Sequence, residues 1–297
     1  MTGRRLGVLS VLTAALLWST AGLFMGLLGE LDAWTILFWR SLFGAVITTA
    51  LALLDPRRRA KASGSRTWWW IATVASAVGM IAFIPALRLT SIANVALIHA
   101  ALPVFAAMAS ILIHAERPSR ATVISSFVSL AGAALIFIGS SAAGSGRSGD
   151  LLALVMTMSI ALMTVALRAY DGSVGSVVAT SNGIAAIAAY CVSPDITIEI
   201  GQAIVIAAFA AIQMVLGLIF YSKGAQLLPS PQTALLSLAE VPLSPFWVWL
   251  AFGERPALGS VVGGLIILAA TVLHGILNLY RSAERGPWMR QTPKGTP

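Results

Sequence analysis

The chain has 297 residues, of which 58% are hydrophobic and only 10% charged, and its mean hydropathy is +0.88. Soluble domains carry charge on about a quarter of their residues, so this composition excludes a soluble globular protein and leaves a polytopic membrane protein. The net charge of +8 sits in short clusters between apolar runs instead of on one stripe, which assigns it to membrane topology and excludes nucleic acid as a partner.

A membrane-crossing helix needs about 20 apolar residues. Punctuation by charge, Gly and Pro predicts ten, at 6–28, 33–54, 68–87, 92–113, 120–140, 150–169, 174–192, 203–222, 231–252 and 257–280. Barrel strands would need alternating segments of about ten residues, and the sequence has none. The first run follows Arg4 and Arg5 without a small-residue cleavage pattern, so it reads as a retained helix and not a signal peptide. Cys191, the single cysteine, excludes an internal disulfide or a thiolate metal site and reads as packing filler. Trp68, Trp69 and Trp70 follow a basic cluster and read as an interfacial anchor.

The chain is organised around a stretch it uses twice. Ala86 to Pro118 carries Pro103 in its middle and closes on Glu116-Arg117-Pro118; Gly224 to Pro256 closes on Glu254-Arg255-Pro256. At an offset of 138 residues, Ala96, Leu97, Ala101 and Leu112 fall on Ala234, Leu235, Ala239 and Leu250. An apolar half-chain used twice is the pattern of a transporter with internal repeats. The expected units are 1–146 and 147–280, five helices each, followed by a disordered cytoplasmic tail at 281–297. With the N-terminus in the cytoplasm, fifteen Lys and Arg residues fall on that side and only Arg88, Arg147 and Arg255 on the other. This bias predicts that both termini are cytoplasmic. Five helices is an odd number, so the repeats must be inverted. Gly22 with Gly26, and Gly259 with Gly263, are spaced for close helix packing.

These features together resemble the drug/metabolite transporter superfamily, and within it the ten-helix EamA-type exporters. The residues that carry the likeness are Ala86 to Ser91 (Ala-Leu-x-x-Thr-Ser), Pro103, the two Glu-Arg-Pro exits, Arg40 in Phe38-Trp39-Arg40-Ser41, and Glu240 ahead of Pro242. Pro242 departs from the repeat by one position. The resemblance implies an all-α membrane protein with a central cavity between inverted five-helix halves. It further implies a multi-pass cell inner-membrane exporter moving small metabolites, amino acids or drugs by alternating access, with no cofactor.

Ionisable groups inside a membrane cost about 2.5 to 3.5 kcal/mol each on the insertion scale and are functional hypotheses by default. Arg40, His99 and Glu240 are the three well inside. Arg40 could bind a substrate carboxylate with its planar fork, or be a structural arginine held by carbonyls or by Glu240. Glu240 shares a helix face with Ser237 and Ser244, so it could take a substrate amine or a proton, or pair with Arg40. His99 lies one turn before Pro103 and reads as a hydrogen-bonded neutral histidine, with substrate contact or proton coupling as the alternative. Trp18, flanked by Ala14 and Gly22, could line the substrate path; Phe83, Gln213, Tyr221 and Trp247 offer further aromatic and amide surface, with packing or lipid contact as the alternative. Small metabolites, amino acids foremost, fit this set, with another metabolite or a drug as the alternative and protons as an open question. An intramembrane enzyme would need a nucleophile or metal motif such as His-Glu-x-x-His, and the sequence has none. A channel would need a filter motif or oligomerisation.

Overall fold

A computed structural model describes residues 3–54, 65–115, 117–139, 147–193, 195–253 and 258–284. Among the described residues there is no strand, and ten helices are long and apolar enough to cross a membrane. Hydrocarbon offers no water to an exposed N–H or carbonyl, so an apolar chain satisfies its backbone by helical bonds inside each segment. The helices are α1 (Gly3–Trp18 and Ala21–Leu28), α2 (Ala33–Leu54), α3 (Arg66–Leu89), α4 (Ile92–His99 and Leu102–His114) and α5 (Arg120–Gly139). The second half contains α6 (Arg147–Ala169), α7 (Val174–Val192), α8 (Ile200–Phe209, Ala210–Gly217 and Leu218–Leu227), α9 (Ser230–Ser237 and Glu240–Phe252) and α10 (Leu258–Glu284).

The helix pairings carry the inverted repeat. Exchanging the two halves maps each of the packed pairs α2–α7, α4–α9 and α5–α10 onto itself, and maps α3–α6 onto α8–α1. The protein is therefore two five-helix repeats of opposite orientation, packed helix against partner helix. Small residues make the contacts close. A Cβ on Gly22 would stand 3.0 Å from Val248, one on Gly26 would stand 2.6 Å from Phe252, and Gly263 of α10 lies against Gly132 of α5. Apolar burial gives no drive to association in lipid, so this backbone proximity supplies it through dispersion.

Four helices are interrupted near their middles. In α4 and α9 the breaks fall at Ala100–Ala101 and Leu238–Ala239, which are equivalent positions at the 138-residue offset. Their geometry also matches: φ/ψ is −63°/−14° and −79°/−5° in α4, and −60°/−12° and −58°/−20° in α9. The one-residue offset of Pro242 does not disturb this. The first N–H groups of any helix lack intrahelical acceptors, so proline is tolerated at the second residue of one half-helix and the third of the other. The break in α1, at Ser19–Thr20, is closed by side chains: Ser19 Oγ donates to Leu16 O (2.7 Å), Thr20 Oγ1 to Leu17 O (2.6 Å), and Gln213 Nε2 to Trp18 O (2.6 Å). In α8 the interruption is a π-helical segment, Ala210–Gly217.

The two ends of the bundle differ in charge. Arg4, Arg5, Arg66, Arg117, Arg120, Arg168 and Lys223 mark the basic end, while the opposite end carries Glu30, Asp32, Asp150, Asp195 and Glu199. At that opposite end Asp32 caps α2 through Trp34 N (2.9 Å) and Thr35 N (3.0 Å), and Trp39 Nε1 holds the connection before α8 at Ile196 O (2.7 Å). Hydrogen bonds from the Thr197 side chain and backbone hold the exposed Asp195 carboxyl below the usual carboxylate range.

Three sequence expectations change. The last helix continues through Glu284, four residues into the expected tail; 285–297 lie outside the described residues, as do the basic cluster at 57–61, Glu116 and the second Glu-Arg-Pro at 254–256. Cys191 is exposed and fills no packing gap. Within the tryptophan triplet only Trp70 is largely exposed; Trp69 donates to Ser176 Oγ (2.9 Å) and Trp68 packs on His114. The triplet joins α3 to α7 and α4 as well as marking an interface.

Candidate substrate site

The interruptions converge on one polar cluster. Trp18 stands at the break of α1 with its indole against the Tyr221 ring, centroids 4.8 Å apart. Trp18 Nε1 donates to Gln213 O (3.1 Å) while Gln213 Nε2 donates back to Trp18 O. The exchange is reciprocal for a physical reason. The break in α1 frees the Trp18 carbonyl, the π segment of α8 loosens its own ladder at Gln213, and each side chain satisfies what the other helix leaves open. Gly217 keeps room for the indole, since a Cβ there would lie 2.5 Å from Trp18 Nε1. The Tyr221 hydroxyl shares a hydrogen bond with Thr164 of α6 and also meets Ser237 of α9.

His99 ends the first half of α4 and Glu240 begins the second half of α9. Their side chains meet across the halves, His99 Nε2 to Glu240 Oε1 at 2.9 Å, with the approach off the ring N–H direction. His99 is nearly buried, and Glu240 keeps 18% of its side-chain surface open. The polar stripe on α9 continues toward α1, where Trp247 Nε1 donates to Ser19 Oγ (2.8 Å) and Ser244 faces Gly22.

Arg40 stands apart from this cluster. It is wholly buried, seven residues into α2, or roughly 10 Å along the axis. Its guanidinium lies over Phe209 of α8 (5.1 Å to the ring centroid) and Phe83 of α3 (5.7 Å). None of its three nitrogens has a hydrogen-bond acceptor. The Arg40–Glu240 pair, which the sequence left open as the structural alternative to substrate binding, does not form; Glu240 meets His99 instead. Asn182 Oδ1 of α7 is among the other buried polar atoms without a partner, as are Ser41 Oγ and Thr48 Oγ1 on α2, and it lies over Gly44, one turn along α2 from Arg40.

The structure thus brings together Trp18, Gln213, Tyr221, His99 and Glu240, and places Arg40 with Phe83 in a neighbouring aromatic niche. Phe209, Thr164, Asn182 and Ser19 were not singled out from sequence. Phe209 lies one turn before Gln213 on the same helix, the one signal that could have found it. Among the described residues, two of the cavities open toward the ends of the bundle, and neither of these is lined by Arg40, His99 or Glu240. One, of about 430 Å³, lies between Asp32, Trp34, Arg88 and Leu152; the other, of about 320 Å³, lies between Arg4, Arg117 and Gln232. Among the described residues no group of His, Cys, Asp and Glu could hold a metal ion.

The profile of the EamA-like transporter family matches residues 5–138 and again 147–276, one match for each half. The chain belongs to the EamA-like transporter family. It is accordingly a membrane transporter of small molecules within the drug/metabolite transporter superfamily. A solved crystal structure of another protein has the same fold, with a TM-score of 0.78 at 18% identity, covering 92% of this chain and 98% of that one. No curated protein matches the sequence.

Proposed function

We propose that this transporter exports small metabolites bearing a carboxylate, amino acids foremost, from the cytoplasm across the cell inner membrane by alternating access. The observation that carries the reading is Arg40: wholly buried, between two aromatic faces, with no acceptor. An uncompensated buried charge costs several kcal/mol, and a bound carboxylate, gripped by the planar fork, removes that cost. A zwitterion presents an ammonium close to its carboxylate. The unpartnered Asn182 Oδ1 one turn away supports this polarity, and the open flank of Glu240 is the alternative seat for the amine. Both termini are cytoplasmic in this reading, which rests on the fifteen-to-three distribution of Lys and Arg. The protein is no enzyme here, and His99 with Glu240 is where a proton would couple.

A second reading, export of cationic or neutral drugs, draws support from the carboxylate of Glu240 together with the aromatic surface of Trp18, Tyr221 and Trp247 on α1, α8 and α9. Counterflow in proteoliposomes separates the two. Internal zwitterionic amino acids should accelerate labelled amino-acid uptake, and their methyl esters should not. Equal acceleration by acids and esters would remove the carboxylate from the recognition.

A further inference from the structure

The cavity at the basic end belongs to no part of the substrate path described above. It is about 320 Å³ and sits where α5 begins, against the start of α1 and the turn between α8 and α9. Arg4, Arg117, Ser119, Thr122 and Gln232 supply its polar lining, and no carboxylate is among the described residues that line it. Gln232 is the informative member. It is 3% exposed, and its Oε1 accepts from Arg4 Nη2 at 3.3 Å. A guanidinium only donates, so this contact fixes the amide orientation and leaves Nε2 as the other face. That Nε2 is buried and has no acceptor. A buried amide donor left without an acceptor is expensive, and here it lines a cavity that also holds two guanidinium groups. The positive end of the α5 dipole points at the same place. The Ser119 hydroxyl is turned to Thr122, accepting from its N (3.1 Å) and sharing a bond with its Oγ1 (2.9 Å), and makes no bond to Gln232 Nε2.

Apart from the Ser119 and Thr122 hydroxyls, the side chains that give the cavity its polar character, the guanidiniums of Arg4 and Arg117 and the Nε2 of Gln232, are donors. We infer that it is a binding site for a phosphate group, held by Arg4, Arg117 and Gln232 Nε2 at the N-terminus of α5. The phosphate comes from the headgroup of an anionic phospholipid, the chemistry that basic pockets between membrane helices take, or from a soluble phosphate reaching the same end. Arg117 stands in the first half of the chain and Gln232 in the second, so a bound phosphate ties the two halves together at this end.

The test uses the full-length protein in phosphatidylcholine nanodiscs, read by thermal midpoint and by native mass spectrometry of retained lipid. Added phosphatidylglycerol, or inorganic phosphate titrated into phosphatidylcholine discs, should raise the midpoint. A response to the lipid alone assigns a headgroup, a response to inorganic phosphate assigns a soluble ligand, and silence to both overturns the proposal. Gln232→Glu and Arg117→Ala should each weaken the response at least about tenfold, as expected for losing a charge-assisted bond. Arg117 is exposed, so its variant tests the site even where Gln232→Glu fails to fold. Arg5→Ala removes the same charge at an exposed position outside the cavity and should leave the response intact. An equal loss with Arg5→Ala would show diffuse attraction to the surface and overturn the site.

Discussion

Replacing Arg40 with methionine should stabilise the ligand-free protein and cripple transport of carboxylates. The guanidinium is wholly buried without an acceptor, a state that costs several kcal/mol after relaxation. The rings of Phe209 and Phe83, at 5.1 and 5.7 Å, return about 0.5 to 2 kcal/mol each as cation–π contacts. That sum falls short of the penalty, so the empty site is strained by its own charge. Methionine has nearly the same reach, carries no charge, and its sulfur suits an aromatic niche. Hydrophobic replacement of even a paired buried charge is neutral to stabilising by about 1 to 4 kcal/mol, and Arg40 has no partner to lose, so the unfolding midpoint of purified Arg40→Met should rise. Loss of a charge-assisted bond is worth about 1.5 to 3 kcal/mol, and carboxylate affinity should therefore fall about ten- to a hundredfold. Arg40→Lys keeps the charge and loses the fork, and should fall between the two in both assays. Thermal unfolding and counterflow of acids against esters read the two effects separately. A lowered midpoint, together with an equal loss for every substrate, would refute the reasoning and make Arg40 a structural residue.

Gln213→Leu removes the donor that holds the Trp18 carbonyl at the α1 break. It should destabilise the protein by about 1 to 3 kcal/mol in chemical unfolding, and an unchanged stability would mean that the break does not depend on Gln213. Glu240→Gln should keep substrate exchange in proteoliposomes while net flux loses its response to a pH gradient. Wild-type protein that ignores such gradients would remove the proton from the cycle. Cys191 is exposed near the end of α7, and with cytoplasmic termini it should react with a membrane-impermeant maleimide added to intact cells. Asp171→Cys, in a Cys191→Ser background, should react only after permeabilisation; the opposite pattern would invert the topology.

The ten helices were legible because hydrocarbon leaves the backbone a single solution, so length and punctuation suffice to find them. The breaks were legible only where proline marks them, at Pro103 and Pro242. The break of α1 has no local signal. Its carbonyls are held by Ser19, Thr20 and Gln213, and Trp247 reaches Ser19 from 228 residues away; spacing within one helix cannot report such partners. The same limit separates the right residues from the right pairs. Arg40, His99 and Glu240 stood out in the sequence because charge is expensive in lipid, and all three are functional candidates in the fold. Their pairing depends on which face of α9 turns to α4; the one pairing the sequence offered as an alternative was Glu240 with Arg40, and the structure joins Glu240 to His99.

The matched breaks also bear on why the site is single although the scaffold is double. At the 138-residue offset Glu240 corresponds to Leu102 and His99 to Ser237. The backbone of α4 is thus repeated in α9 down to its dihedral angles, while the chemistry is placed once on each helix and on opposite sides of the break. Glu240 begins a half-helix, at its positive end, and His99 closes one, at its negative end. Symmetric backbones allow the two halves to exchange conformations, which is what alternating access requires of inverted repeats. Unlike side chains at the break fix one contact across the halves that such an exchange must remake or release. In the proposed alternating-access cycle the His99–Glu240 contact would stand at the moving joint, and Arg40, seated on α2 between α3 and α8, on the wall against which that joint works.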